Sequence, residues 1–372
     1  MNNATARPLI VRVRNWIGDV VLGLPALHLL ESHGYAPHVV ARGGWAPSLL
    51  AGYGYPVHVQ PKKLLERVAQ LKRVRDTCAA EDAGFRQREN ALVMPQSFSS
   101  ALEMRLAGLK AVGYGQEGRS PLLARSEPIT YGGAALVAYW DLACRFLRIQ
   151  AEPPKSIDMK LSPASVANAG KMLAESGVRP GFVMVCPFAG GLATAKKLDK
   201  KWPGFPEFVR QAKASLGVDI VVCPGPTELE EARALYPDAR LMTIADLGDY
   251  AAVLQHAALA VANDTGPAHL AAAVGAPVIS VLAPTIVEQW APWGPQVQVI
   301  KHPQPETGPS VWPTVDEVMA ATRQRLGPVN AIGGLTPGAQ GAQTWRKARR
   351  WAHCPRRAGN DGLRPLCPWP EG

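Results

Sequence analysis

Two short stretches carry the residues best suited to chemistry. In Arg14-Asn15-Trp16-Ile17-Gly18-Asp19 a glycine that permits a tight turn is followed at once by a carboxylate. The apolar run Pro8–Arg14 before it reads as a strand, and the segment from about Asp19 to Ser32 reads as a helix. Ligands of open α/β sheets bind beyond the carboxyl ends of the strands, so Asp19 stands where a reacting group belongs. It fits two roles, a catalytic carboxylate or a helix cap, because aspartate is common at helix starts. No G-x-G-x-x-G accompanies the turn, which argues against a nicotinamide cofactor.

The second stretch is Asn263-Asp264-Thr265-Gly266-Pro267-Ala268-His269, between the strand Leu259–Ala262 and the small-residue helix Pro267–Val274. Proline at a first helical position loses no hydrogen bond. The free N–H groups and dipole of such a helix favour a phosphate, and an alanine-rich face brings the helix close to its sheet. The alternative is an Asp-capped helix with His269 on its core side. Two more turns support an anionic ligand in this half. Pro187-Phe188-Ala189-Gly190-Gly191 offers backbone donors, with Lys196, Lys197, Lys200 and Lys201 following as diphosphate partners or as a solvated basic loop. In Pro224-Gly225-Pro226-Thr227-Glu228, Glu228 either accepts from ribose hydroxyls or is a first-turn acid favoured by the helix dipole.

Holding these turns requires alternating strands and helices. The first half reads as strands at 8–14, 38–41, 57–59, 90–94 and 111–114, separated by helices at 19–32, 64–78, 98–108 and 134–147. Three prolines between Gln150 and Pro163 break the pattern and mark a linker. Alternation then resumes through strands at 182–186, 219–223, 241–243, 259–262, 278–282 and 297–300, ending in a helix at 314–326. Short strands separated by helices predict parallel sheets covered on both faces. The division expected is an N-terminal domain over residues 1–155, a C-terminal domain over 156–328 and a tail over 329–372.

A chain of 372 residues can bury two cores, and 47% hydrophobic against 19% charged residues describes a globular protein. No apolar run reaches the roughly 18 residues of a membrane span, and the start of the chain lacks the apolar core of a secretory signal. A cytoplasmic location is therefore expected. The six cysteines are scattered without a C-x-x-C pair, which argues against a zinc site or a disulfide framework. Of the net charge of +10, half comes from seven Lys/Arg against two Asp/Glu after Pro328, in a Gly/Pro/Arg-rich tail expected to be disordered. The modestly basic body suits an anionic substrate or membrane surface, and it lacks the basic stripe with interleaved aromatics that nucleic acid would need. Lys62, Lys63, Arg67, Lys72, Arg73 and Arg75, on or beside the helix that starts at Leu64, fit either peripheral contact with anionic lipid or a solvated face.

Taken in order, these pieces resemble the lipopolysaccharide heptosyltransferases of glycosyltransferase family 9. The resemblance covers about residues 8–326. It rests on Trp16-Ile17-Gly18-Asp19 with Leu24-Pro25-Ala26-Leu27, on Ser97-Phe98-Ser99-Ser100-Ala101, and on Gly113-Tyr114. In the second half it rests on Lys200-Lys201-Trp202-Pro203, Asn263–His269 and Ala291-Pro292-Trp293-Gly294. The W-I-G-D form is closer to the heptosyltransferase II branch than to the heptosyltransferase I branch. The resemblance implies a GT-B fold, α/β with two Rossmann-like domains facing each other across a cleft. It also implies an inverting transfer of heptose from ADP-L-glycero-D-manno-heptose to a lipid A–Kdo core acceptor at the inner membrane, without metal or other cofactor. Asp19 matches the family's catalytic aspartate. Lys200 matches its diphosphate lysine, with Asp264, Thr265, Gly266, His269, Gly190, Thr194 and Glu228 on the donor side. Trp16, Gly18, Ser97 and Ser99 fall on the acceptor side. A free aspartate, with a pKa of about 3.9, is a weak base, so it serves if proton transfer comes late and departure of ADP supplies much of the acceleration.

Overall fold

The computed structural model describes residues 6–129, 133–189 and 200–327. Gly190 and Thr194, like the tail from 328 onward, lie outside the described residues. The first sheet comprises β1 (Arg7–Arg12), β2 (Tyr35–Ala41), β3 (Val57–Val59), β4 (Ala91–Val93), β5 (Ala111–Tyr114) and β6 (Arg125–Glu127). The second comprises β7 (Val183–Cys186), β8 (Ile220–Val222), β9 (Arg240–Leu241), β10 (Leu259–Ala262), β11 (Val278–Leu282) and β12 (Val297–Lys301). All pairings are parallel. The central strands are continuous apolar runs because helices cover both of their faces.

The strand orders are β3-β2-β1-β4-β5-β6 and β12-β11-β10-β7-β8-β9. Each is the doubly wound order of a dinucleotide-binding fold, in which the winding direction reverses beside the first strand of the set and leaves a crevice there. The reversals fall at β1/β4 and at β7/β10. The turn leading to Asp19 follows β1, and the turn carrying Asp264 follows β10. The topology therefore puts both chemical turns at crevices, a placement that strand propensity alone does not specify.

Twelve α-helices are described: α1 (Ile17–Ser32), α2 (Ala46–Leu49), α3 (Leu64–Glu81), α4 (Phe98–Leu106), α5 (Ala135–Leu147), α6 (Pro163–Glu175), α7 (Phe205–Ser215), α8 (Leu229–Leu235), α9 (Leu247–Leu254), α10 (Gly266–Ala273), α11 (Val287–Trp290) and α12 (Val315–Leu326). The edge strand β6 and the short helices α2 and α11 were not expected from the sequence. They are single-turn or three-residue elements, too short for a periodic signal.

α1 is buried over 11 of its 16 residues. A helix apolar on all sides belongs in an interior. It packs on its own sheet with α5 and, on the other side, against α10 of the second lobe. One apolar cluster accordingly runs from Leu9, Leu24 and Leu136 of the first lobe to Leu270 and Val278 of the second. Separate clusters line the outer faces, under α3 and α4 on one side and under α7 and α12 on the other. α12 opens with a capping box in which Thr314 and Glu317 satisfy each other's backbone N–H groups. Among the described residues no helix is long and apolar enough to cross a membrane.

The basic helix α3 is less cationic at its surface than its composition suggests. Arg67 is buried, with its Nε 2.9 Å from Oε1 of the equally buried Glu103. Arg75 is turned inward to the Ala107 carbonyl at 2.7 Å and is paired with Asp76. Lys62, Lys63, Lys72 and Arg73 remain exposed.

Candidate functional site

The turn after β1 is fastened from below. Arg12 is buried and donates to Oδ1 of Asn15 at 2.7 Å and to the Val13 carbonyl, tying the strand end to the loop. Burial lowers its pKa to about 10 against the opposing pull of Glu103, which still leaves it a cation at neutral pH. Trp16 follows as the N-cap of α1, 64% exposed and making no side-chain cap.

Asp19 lies inside the first turn of α1 and does not cap it. Its carboxylate is 7% exposed, and Oδ1 accepts from the Tyr139 hydroxyl of α5 at 2.6 Å. Nε of Arg14 stands 3.4 Å from the same oxygen. Burial, and then the charge of Asp19, raise the Tyr139 phenol well above its ordinary value, so it remains a protonated donor.

The turn after β10 is held differently. Asn263 is fully buried; its amide donates to the Pro187 carbonyl at 2.7 Å, and its carbonyl accepts from the Trp202 N–H at 3.0 Å. That single side chain draws the ends of β7 and β10 and the Lys200–Trp202 segment together. Lys200 then reaches Oδ2 of Asp264 at 2.6 Å, and the Thr285 hydroxyl donates to the same oxygen at 2.8 Å. Lys201 diverges to Glu231 at 3.1 Å, so the two neighbouring lysines have different surroundings. Thr265 is the N-cap residue of α10, with Gly266 and Pro267 opening the helix one residue earlier than expected.

The two turns meet. A Cβ built on Gly18 would lie 2.7 Å from Cδ2 of His269, and one on Gly266 would lie 3.0 Å from Cβ of Ile17. Each glycine thus admits a side chain from the opposite lobe, and no larger residue fits without displacing it. His269 is buried in this seam with Nδ1 unpartnered among the described residues. Burial lowers its pKa against the pull of Asp264 and Asp19, so the imidazole is neutral at pH 7.

Beside Tyr139 opens a cavity of about 180 Å³, lined by Arg14, Gln96 and Gln116 from the first lobe and by Gln289 and Trp290 from the second. The Arg14 guanidinium lies 5.6 Å from the Trp290 ring centre. Amides, a guanidinium and an aromatic face are groups that bind hydroxyl-rich ligands. Ser97 and Ser99 are exposed next to Gln96, with their hydroxyls 3.3 Å apart. Glu228 immediately precedes α8, and its Oε2 accepts from the Gly225 N–H at 2.8 Å, closing its own turn. Among the described residues no three His, Cys, Asp or Glu side chains gather as a metal ligand set.

Tyr139, Thr285 and Trp290 went unassigned in the sequence reading. Tyr139 is 120 residues from Asp19 along the chain and Thr285 is 21 from Asp264. Neither carries a local motif, so only the packing of α5 on α1 and the return of the chain after β11 disclose them.

Two doubly wound lobes that face each other across a cleft, with a charged turn at each crevice, make this a protein of the GT-B type. The family model described as Glycosyltransferase family 9 (heptosyltransferase) matches residues 58–312, and the chain belongs to that family. A 148-residue stretch is 28% identical to lipopolysaccharide heptosyltransferase 3 of Escherichia coli, covering 37% of this chain and 42% of that protein. The chain thus spans less than half the length of this curated relative. Among solved structures, E. coli ADP-heptose lps heptosyltransferase II superposes with a TM-score of 0.70 at 20% identity, covering 86% of this chain and 98% of the other. E. coli heptosyltransferase WaaC with ADP gives 0.64 at 21%, covering 86% and 99%. A glycosyl transferase family 9 protein from Veillonella parvula gives 0.69 at 15%, covering 86% and 97%. At these identities the structural likeness establishes the fold.

Proposed function

We propose that the protein transfers heptose from ADP-L-glycero-D-manno-heptose to a sugar of the lipopolysaccharide inner core, with inversion at the anomeric carbon. The observation that carries this reading is the apposition of Asp19 at one crevice with the Lys200–Asp264 pair and the start of α10 at the other. Family membership and the printed names of the relatives supply the donor and acceptor classes.

In this reading an acceptor hydroxyl oxygen attacks the anomeric carbon while Asp19 takes its proton, and the bond from that carbon to the ADP oxygen breaks. The negative charge gathers on the diphosphate, where the Lys200 ammonium and the free N–H groups of α10 stabilise it. Thr265 and Gly266 present that helix end, and His269 backs it. Glu228 keeps Oε1 for ribose hydroxyls. Trp16, Gly18, Ser97 and Ser99 flank the acceptor. The work takes place at the cytoplasmic face of the inner membrane, with the exposed Lys62, Lys63, Lys72 and Arg73, on or just before α3, as the contact with anionic lipid.

The test is acceptor-dependent release of ADP from ADP-heptose, using truncated lipopolysaccharide, for wild type and Asp19→Asn. Release by the wild type and a loss of about 1,000-fold in the variant, with ADP affinity retained, are expected for a general base that also places the nucleophile. Turnover by Asp19→Asn within tenfold of wild type would remove the base role. Release without acceptor dependence would remove the proposed acceptor.

A further inference from the structure

The surroundings of Asp19 go further than its identity. A carboxylate acting as a base needs one oxygen directed at the proton it will take, and an unrestrained Asp side chain rotates. Here Oδ1 is committed to Tyr139 at 2.6 Å and to Arg14 at 3.4 Å, whereas Oδ2 accepts no hydrogen bond among the described residues. Neither donor is a loose surface group. Tyr139 is 1% exposed in α5, the helix that packs most extensively on α1, so its ring position is set by the core. The guanidinium of Arg14 also lies 5.6 Å from the ring centre of Trp290, which belongs to the second lobe. Both donors line the cavity shared with Gln289 and Trp290 of the second lobe. The phenol cannot compete for the proton, because burial beside a carboxylate keeps it neutral.

We propose that Tyr139 and Arg14 are positioning residues that occupy Oδ1 of Asp19 and leave Oδ2 for the acceptor hydroxyl. Through Trp290 the Arg14 arm of this clamp depends on the second lobe being in place. The inference rests on Asp19 acting as the base. It assigns the orientation of that base to a tyrosine from a distant helix and to a cation–π contact between the lobes.

The experiment measures kcat, the KM for ADP-heptose, ADP affinity by calorimetry and Tm on the full chain for Tyr139→Phe, Arg14→Lys and Asp19→Asn. Phenylalanine fills the same space and deletes only the hydroxyl. The expected result for Tyr139→Phe is a kcat reduced 10- to 100-fold, with the donor KM and ADP affinity within twofold of wild type. Arg14→Lys keeps the charge but loses the planar face over Trp290, and it is expected to lower kcat three- to tenfold in the same selective way. A Tyr139→Phe enzyme with kcat within twofold of wild type overturns the proposal, as does a loss shared equally by kcat and ADP affinity. If that occurs while Asp19→Asn is inactive, the base survives and only the clamp falls. If Asp19→Asn turns over normally, both fall. Should Tyr139→Phe fail to fold, Arg14→Lys, at a partly exposed position, decides the question by the same split between kcat and KM.

Discussion

Asp19 and Asp264 each follow a central strand of a doubly wound sheet, and each belongs to a turn that opens a buried helix, yet their carboxylates meet different donors. Asp264 is tied on one oxygen by an ammonium at 2.6 Å and a hydroxyl at 2.8 Å. Asp19 meets a neutral phenol at 2.6 Å and a guanidinium at 3.4 Å that is turned partly toward an aromatic ring. A close ammonium makes the first carboxylate an anchor that orders a lysine beside a helix N-terminus. A phenol and a guanidinium occupy one oxygen of the second carboxylate, and its other oxygen accepts no hydrogen bond among the described residues. Under the proposed function the same local pattern serves charge binding in one lobe and proton transfer in the other, and the difference lies in what the distant chain delivers.

The largest break in that comparison should come from Lys200→Ala. A charge-assisted contact to a phosphate is worth about 1.5–3 kcal/mol, so ADP affinity is expected to fall about 10- to 100-fold. Asp19→Asn, titrated in the same calorimeter, should stay within threefold of wild type. Equal losses in the two variants would show that the two turns do not divide the work as described.

Next in size is the seam between the turns. Gly18→Ala puts a methyl 2.7 Å from the His269 ring, and overpacking of this kind costs about 1–3 kcal/mol. A lowered Tm is expected. Gly170→Ala in α6, where a Cβ meets nothing within 4 Å, should raise stability by about 0.5–1 kcal/mol and serves as the control. A Gly18→Ala protein as stable as wild type would mean that the lobes do not close on this contact.

The smallest effect is the pH dependence contributed by His269. Its pKa is lowered by burial in the folded chain, from an ordinary value of 6.5. Between the two values the unfolded chain binds the extra proton, so stability rises with pH there. The contribution is complete above pH 6.5 and is lost as pH falls toward the folded value. His269→Gln should flatten that part of a curve of denaturation midpoint against pH, and an unchanged slope would place the imidazole in contact with water.

Much of the fold is legible along the chain. Continuous Val- and Ile-rich runs such as Leu9–Val11 announce parallel strands, because apolar side chains face a helix layer on either side. The small residues of α10 announce close packing, and the Gly-Asp and Asp-Thr-Gly turns announce the two crevices. Other features are not legible. Arg67 reads as one more surface cation of α3, but it is buried against Glu103, 36 residues further on in α4. Asp19 reads equally well as a cap, and only the exposed Trp16 at the cap position and the reach of Tyr139 decide against it. Glu228 reads as a ribose ligand or a first-turn acid, and the bond from the Gly225 N–H to its Oε2 is not legible in either reading.

By itself the sequence determined the alternation of strands and helices, the two turns able to carry charge, and the glycines that let backbone approach closely. These depend on local periodicity and on backbone freedom within a few residues. The tertiary structure alone decided that both turns stand at reversals of strand order, and that Gly18 admits His269 while Gly266 admits Ile17. It also decided that Tyr139 reaches Asp19, Thr285 reaches Asp264 and Trp290 lies against Arg14. A hydrogen bond acts over about 3 Å in space whatever the separation in chain, so the partners of a carboxylate are known only once helices and sheets have packed.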